Sequence, residues 1–212
     1  MKRAEQKTET RRLILEVAKR HFEARGFVDT NIREVAREAG VATGTVLLHF
    51  RDKEDLLHAA LFEDLEREIE EALGTVPEGT LEERLAHLTR RMFGFYADRP
   101  ALSRTLLKES LLASPPWAER FAAQVAKVHQ RITALADEAA REGELASDAS
   151  TALLGVAYFS FYYFALIAWV QGGHPDPAAL VGRLMRQHLD GLRPAPAPRT
   201  RSPQRPTQRK SP

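Results

Sequence analysis

No cysteine occurs in the 212 residues, which excludes disulfides, thiolate metal sites and cysteine nucleophiles. Their absence fits a reducing compartment. An apolar stretch near the N-terminus is also missing: Met1-Lys2-Arg3-Ala4-Glu5-Gln6-Lys7 runs into further charge and does not read as a secretory signal. A cytoplasmic location is therefore expected. No segment alternates apolar and polar residues for long enough to make a strand, and no internal repeat is present. His21, His49, His58, His87, His129, His174 and His188 show no metal-ligand spacing such as His-Glu-x-x-His. Neither a Gly-x-Ser-x-Gly elbow nor a phosphate-binding loop occurs. An enzyme finds little support, and neither cofactor nor metal is expected, although a spatially assembled site leaves no such linear trace.

What is present is uneven in charge. Residues 1–53 carry 12 basic and 8 acidic side chains, net +4. Residues 54–192 carry 13 basic and 21 acidic, net −8, and residues 193–212 carry six basic and none acidic. A basic front on an acidic body points to a polyanion as the partner of the front, although ordinary surface charge reads the same way when taken alone.

The apolar pattern is helical almost throughout, so the expected fold class is all-α. Leu13, Ile14, Val17, Ala18 and Phe22 recur at helical spacing, and Gly26 ends that helix. Thr30 is the expected N-cap of the next, whose inner face is Ile32, Val35, Ala36 and Ala39, and Gly40 breaks it. A short helix follows from Ala42 to His49. Asp52 is the expected cap of a long charged helix. Thr80 with Glu83 forms a capping-box pattern, and Pro100 opens a helix to about Leu112. Pro115-Pro116 precede a long helix ending near Gly143. Asp148 is expected to cap the next, as far as Gln171, and Asp176-Pro177 opens the last. The Pro/Arg-rich residues 193–212 cannot bury apolar surface and are expected to be disordered.

Asn31 to Phe50 carries the strongest signal. Ala36 is small where two helices approach, Gly40 permits a left-handed turn, and Val35, Val41 and Val46 fill the small core between the helices. Such spacing lets the second helix project into a major groove. The run from Thr30 to Leu57, with its Gly44-Thr45 pair, His49-Phe50 pair and Lys53-Glu54-x-Leu56 segment, resembles the TetR family over about residues 10 to 57. The resemblance implies a three-helix helix-turn-helix domain over residues 1–52, followed by a helical ligand-binding and dimerisation domain over residues 53–192. It implies a regulator, by the family's usual mode a repressor, bound to an operator in double-stranded DNA. Thr43, Gly44 and Thr45 match positions that meet base edges, with a hydroxyl and a methyl at Thr45. Arg33 matches a phosphate or guanine contact, and His49 and Lys53 match backbone contacts. Leu47 stands where the family usually has a tyrosine, so a phosphate-binding hydroxyl gives way to apolar contact, for instance with a thymine methyl.

From Ala149 to Pro175 there is no Asp, Glu, Lys or Arg, and six of the residues between Tyr158 and Phe164 are aromatic. The length would span a membrane. Ser150, Thr151, Ser160 and Gln171, and aromatics massed mid-helix rather than at two belts, argue against that. A helix apolar all round must then be covered on all sides. The resemblance implies a homodimer through the last two helices, with Leu180, Val181, Leu184, Met185, His188 and Leu189 as the matching stripe. Met92, Phe93, Phe95 and Tyr96, then Leu106 and Leu107, then Trp117, Phe121, Val125 and His129 supply walls for an effector pocket. Phe93, Tyr96, Leu107, Phe121, His129 and Tyr162 are the candidate ligand contacts, the last two of His129 and Tyr162 type being the polar ones. The expected effector is small and hydrophobic or amphipathic, with an acyl-CoA as the precedent the resemblance supplies. A constitutive architectural DNA-binding protein would share the basic front but needs no aromatic-rich second domain.

Overall fold

Helical periodicity becomes nine α-helices among the described residues, and no strand occurs among them. A computed structural model of the chain describes residues 2–110 and 114–194, without the side chains of residues 2, 3, 102, 106 and 108–110. In chain order the helices are α1 (Lys2–Asp29), α2 (Ile32–Glu38), α3 (Thr43–His49), α4 (Lys53–Gly74), α5 (Leu81–Asp98), α6 (Pro100–Ser110), α7 (Trp117–Arg141), α8 (Thr151–Val170) and α9 (Pro177–Asp190). The expected end of α6 near Leu112, the side chain of Leu106 and the tail from residue 195 onward lie outside the described residues.

Side-chain caps account for most helix starts. Asp52 accepts from the Asp55 N–H at 2.7 Å, Thr80 and Glu83 form the reciprocal capping box, and Asp176 accepts from the Ala179 N–H at 2.9 Å. Two expected caps are displaced. Asn31, not Thr30, caps α2 by accepting from Arg33 N–H, because the Thr30 hydroxyl is committed to the Gly26 carbonyl at 2.7 Å. Ser150, not Asp148, caps α8 by accepting from Leu153 N–H. Gly26 interrupts α1 at φ 77°, ψ 176°, and the helical turn resumes for three residues beyond it.

α4 is the central element: it packs on α1, α5, α6 and α7. α1 is tied to it by charge as well as by apolar burial. Asp64, almost wholly buried, accepts from Lys19 of α1 at 2.7 Å and also from Arg67 and Arg99. Arg99 in turn reaches Glu23 at 3.1 Å. A buried carboxylate with three cationic donors is satisfied, and removing it would take that partner from Lys19 and Arg67 and leave Arg99 with Glu23 alone.

The far side of the bundle is α7, α8 and α9, with α5 packed on α9. α8 buries Leu154, Tyr158, Tyr162 and Leu166 at four-residue spacing. Gly155 lets it lie close to α7, for a Cβ there would sit 2.9 Å from His129 Nε2 and 3.2 Å from Thr133 Oγ1. α8 alone, among the described residues, is long and apolar enough to cross a membrane by length and composition. Its other face is uncovered: Leu153, Val156, Phe164 and Ile167 are 66, 54, 61 and 44% exposed.

Candidate functional site: a nucleic-acid face and an apolar cavity

The turn between α2 and α3 depends on one backbone conformation. Gly40 has φ 69°, the left-handed region that glycine enters without strain. Gly40 N–H donates to Arg37 O at 3.2 Å and Val41 N–H to Ala36 O at 3.0 Å, the double closure of a helix ended by a left-handed residue. Val35, Ala36 and Val46 are buried beneath it and Val41 half-buried. Packing on this small core leaves the opposite side of α3 outward.

Along α3, Thr43 and Thr45 are half-buried, and Gly44 and Leu47 are exposed. A Cβ added at Gly44 would meet nothing within 4 Å, so packing within the chain does not require glycine there. Leu48, which the sequence reading passed over, is 83% exposed; its apolar character alone marked it, and the i, i+4 pattern that would have placed it outward is short on a helix of seven residues. Arg33 is exposed on the first turn of α2. His49, half-buried at the end of α3, has its pKa lowered by burial first and then by the positive charges of Lys7 and Arg11. Lys53 opens α4, but its ammonium is not idle: Nζ donates to the Val28 carbonyl at 2.9 Å and lies 4.6 Å from the Phe27 ring centroid. That contact fixes the α1 end against the start of α4 while leaving two of the three donors of the ammonium unspent.

The second site is a partly open apolar cavity of about 130 Å³. α4 lines it with Leu65, Ile69, Ala72 and Leu73, and α5 with Leu88, Met92 and Tyr96. Leu107, Phe121, Gln124, Val125 and Val128 continue the wall, and α8 completes it with Tyr158, Phe159, Tyr162, Tyr163 and Leu166. Of the candidate ligand contacts, Tyr96, Leu107, Phe121 and Tyr162 therefore meet at one cavity. Phe93 does not line it: its ring packs 5.0 Å from that of Tyr162 and supports the wall from behind. His129 also stands outside, stacked 5.8 Å from Phe159 in an open groove between α7 and α8. The α4 residues and Gln124 escaped the sequence reading, since nothing local separates a cavity wall from plain core.

Among the described residues that line the cavity none is charged. Its tyrosines are held neutral: burial pushes Tyr96 and Tyr158 up to about 12 and Tyr162 well above the ordinary phenol value. The Thr89 hydroxyl donates to Leu85 O at 2.8 Å, so in the 2.9 Å contact between Thr89 and Tyr158 the phenol is the donor. Above the cavity, Trp117, Phe121, Phe62 and His58 form an aromatic cluster with ring separations of 5.5–6.3 Å.

A projecting helix on a basic three-helix front, joined by a shared helix to a second helical unit with an internal cavity, defines the helix-turn-helix class of DNA-binding regulators. Residues 14–60 match the family described as bacterial regulatory proteins, tetR family. The chain is 37% identical over 86 residues to the HTH-type transcriptional regulator AcrR of Shigella flexneri, a match covering 38% of this chain and 40% of AcrR. It is 32% identical over 122 residues to the HTH-type transcriptional repressor Rv1474c of Mycobacterium tuberculosis, covering 58% of this chain and 64% of that protein. The chain thus spans less than two thirds of either relative. The fold is similar to that of Thermus thermophilus FadR, a TetR-family transcriptional repressor crystallised with lauroyl-CoA, with a TM-score of 0.65 and 26% identity over 91% of this chain and 100% of that one. Residues 14–60 thus resemble the DNA-binding unit of the tetR family, and the chain as a whole is similar in fold to a TetR-family repressor.

Proposed function

We propose that this chain is a cytoplasmic, homodimeric repressor that binds a palindromic operator and is released from it by a small apolar or amphipathic effector. Residues 1–52 are the DNA-binding domain in this reading, and residues 53–192 bind the effector and dimerise. The observation that carries it is the course of α4. The helix begins at Asp52 and Lys53, beside the helix-turn-helix, and twelve residues further its inner face becomes cavity wall at Leu65, Ile69, Ala72 and Leu73. One rigid element therefore belongs to both sites, and coupling requires such an element with differential contacts at each end. A constitutive architectural protein has no use for the cavity.

Thr43, Gly44, Thr45 and Leu47 are the proposed base-reading surface, with Arg33, His49 and Lys53 on the phosphates. The bare space above Gly44 supports close approach of a partner. The uncovered α8 stripe supports a second copy as its cover, since contiguous apolar surface of this kind is rare on monomers, and two-fold symmetry suits a palindrome. Tyr96, Leu107, Phe121 and Tyr162 are the proposed effector contacts, with Gln124 and Tyr158 added. The modest volume, and the lack of charge among the described lining residues, favour a ligand smaller than an acyl-CoA.

Selection of bound fragments from random DNA tests this reading. The expected product is a palindrome with half-sites about one helical turn, roughly 34–36 Å, apart. Recovery of sequences with no shared element would overturn it in favour of the architectural alternative.

A further inference from the structure

The outward face of α3 carries no hydrogen-bonding side chain. Every residue of this helix is among the described ones. Successive helical residues turn by about 100°, so positions 44, 47 and 48 share one face, and they are the exposed ones. Gly44 has no side chain, Leu47 is 49% exposed and Leu48 83%. Val46 is buried on the opposite side. The hydrogen-bonding residues of the helix, Thr43, Thr45 and His49, are half-buried and flank the outward face. Gly44 stands three and four residues before the two leucines, the spacing at which helical side chains are neighbours. A Cβ at Gly44 would meet nothing within 4 Å, so the leucines border an open gap. The charge of this part of the chain says what approaches: residues 1–53 are net +4, and Arg33, Arg37 and Arg51, before and after α3 in the chain, are exposed. Such charge suits a polyanion rather than an apolar protein partner.

We propose that Leu47 and Leu48 read thymine through its C5 methyl, so that each operator half-site sets a T·A pair against the face formed by Gly44, Leu47 and Leu48. The inference rests on the operator-binding reading above and deepens it by naming the base that this face selects. In the major groove the thymine methyl is the one alkyl group on a base-pair edge, and the other distinguishing groups are donors or acceptors. A leucine can neither donate nor accept. Against a methyl it buries apolar surface; against a guanine edge, with two acceptors, it displaces water and returns no hydrogen bond. The bare Gly44 leaves room for the methyl to lie between the leucines. Sugar carbons are the other apolar surface of DNA, but they are alike in every nucleotide, so leucines that met only sugars would confer no preference among bases.

Deoxyuridine isolates the methyl, since it pairs as thymine does and lacks only that group. The operator recovered by selection is resynthesised with each thymine of a half-site changed in turn to deoxyuridine, and then with both half-sites changed together. The full-length wild type, Leu47→Ala and Leu48→Ala are titrated against each DNA at one salt concentration, with thermal melting as the fold control. Both side chains are exposed, so the three melting temperatures should coincide. At one thymine the wild type should lose about fourfold in affinity per methyl removed, the equivalent of about 0.8 kcal/mol for one buried carbon, and roughly fifteenfold with both half-sites changed. In at least one alanine variant the loss per methyl should fall below about twofold, because the surface that covered the methyl is gone. The inference is overturned if no deoxyuridine weakens wild-type binding, if the loss is undiminished in both variants, or if the selected half-site holds no thymine. Those three results leave a specific operator, and with it the reading above, in place; recovery of no shared sequence element overturns both.

Discussion

Trp117 Nε1 donates a 2.8 Å hydrogen bond to Asp55 Oδ1. The first residue of α7 is thereby fastened to the first turn of α4. The other oxygen of the same carboxylate accepts from the Arg51 N–H at 2.9 Å, so one Asp55 side chain joins the loop after α3 to the helix that carries Phe121 and Gln124. A hydrogen bond to a charged group contributes about 1.5–3 kcal/mol. Trp117→Phe should keep the ring and lose that bond. The expected outcome is a stability loss of this order in urea, nearly unchanged ligand affinity, and a smaller effect of ligand on operator binding. Typical coupling of about 5–150-fold should shrink several-fold; an undiminished response in operator titrations would show that the bond is structural only.

At the DNA face, Lys53 has two jobs to separate. Lys53→Ala would remove the proposed phosphate contact and should reduce the slope of log affinity against log salt by about 1 on any sequence. It also frees the Val28 carbonyl, so some loss of thermal stability accompanies it. Thr45→Ala should weaken operator binding more than random-DNA binding and leave the melting temperature within about a degree. Parallel salt titrations on the two DNAs read both effects.

The uncovered stripe of α8 gives a direct prediction about assembly. Light scattering at micromolar concentration should give twice the chain mass. Phe164→Arg puts a cation into the centre of that stripe and should yield a monomer with near-parental helicity and much weaker operator binding. A dimer of unchanged affinity would place the interface elsewhere.

Alkaline titration probes the cavity wall. The neutral phenol is favoured in the fold, where Tyr96 and Tyr158 ionise at about 12, while the unfolded chain loses these protons near pH 10. Stability is accordingly present below pH 10 and is lost as pH rises from 10 towards 12. A shift of about two units corresponds to roughly 2–3 kcal/mol per residue at the upper limit. Denaturation midpoints at pH 9 and pH 11 should differ strongly, and Tyr158→Phe should reduce the difference. Full phenolate absorbance at pH 10.5 with intact circular dichroism would mean that the phenols are not buried in solution.

How far the sequence carries the reader depends on how local each determinant is. Asp52, Thr80 with Glu83, and Asp176 cap their helices as their spacing predicts, because a cap is a contact across three residues. Where two cap-competent residues stand close together, spacing cannot choose between them. At Thr30-Asn31 the choice was made by the Gly26 carbonyl, a partner created by the kink itself. The cavity was legible only in part for the same reason. Tyr96 and Phe121 announce themselves by type, but Ile69 and Gln124 become wall residues only through the angle between α4 and α7, and His129 falls outside because α8 interposes Phe159.

Gly155 makes α7 and α8 meet almost backbone to side chain, with His129 and Thr133 pressed where a Cβ would be. Rotamers can rearrange to absorb a push; a helix backbone already in close contact has nowhere to retreat. The cavity thus has a closely packed flank formed by α7 and α8 and a second flank formed by α4, whose seat on α1 combines buried apolar side chains with the Arg11–Glu63 and Lys19–Asp64 ion pairs. In the proposed mechanism an entering molecule that needs more room is expected to take it from α4, the helix that also reaches the DNA-binding unit. A residue that touches neither ligand nor DNA in the proposed mechanism would in this way decide the direction of the stroke, and widening the contact with Gly155→Ala should blunt it by splaying the closely packed flank before any ligand arrives.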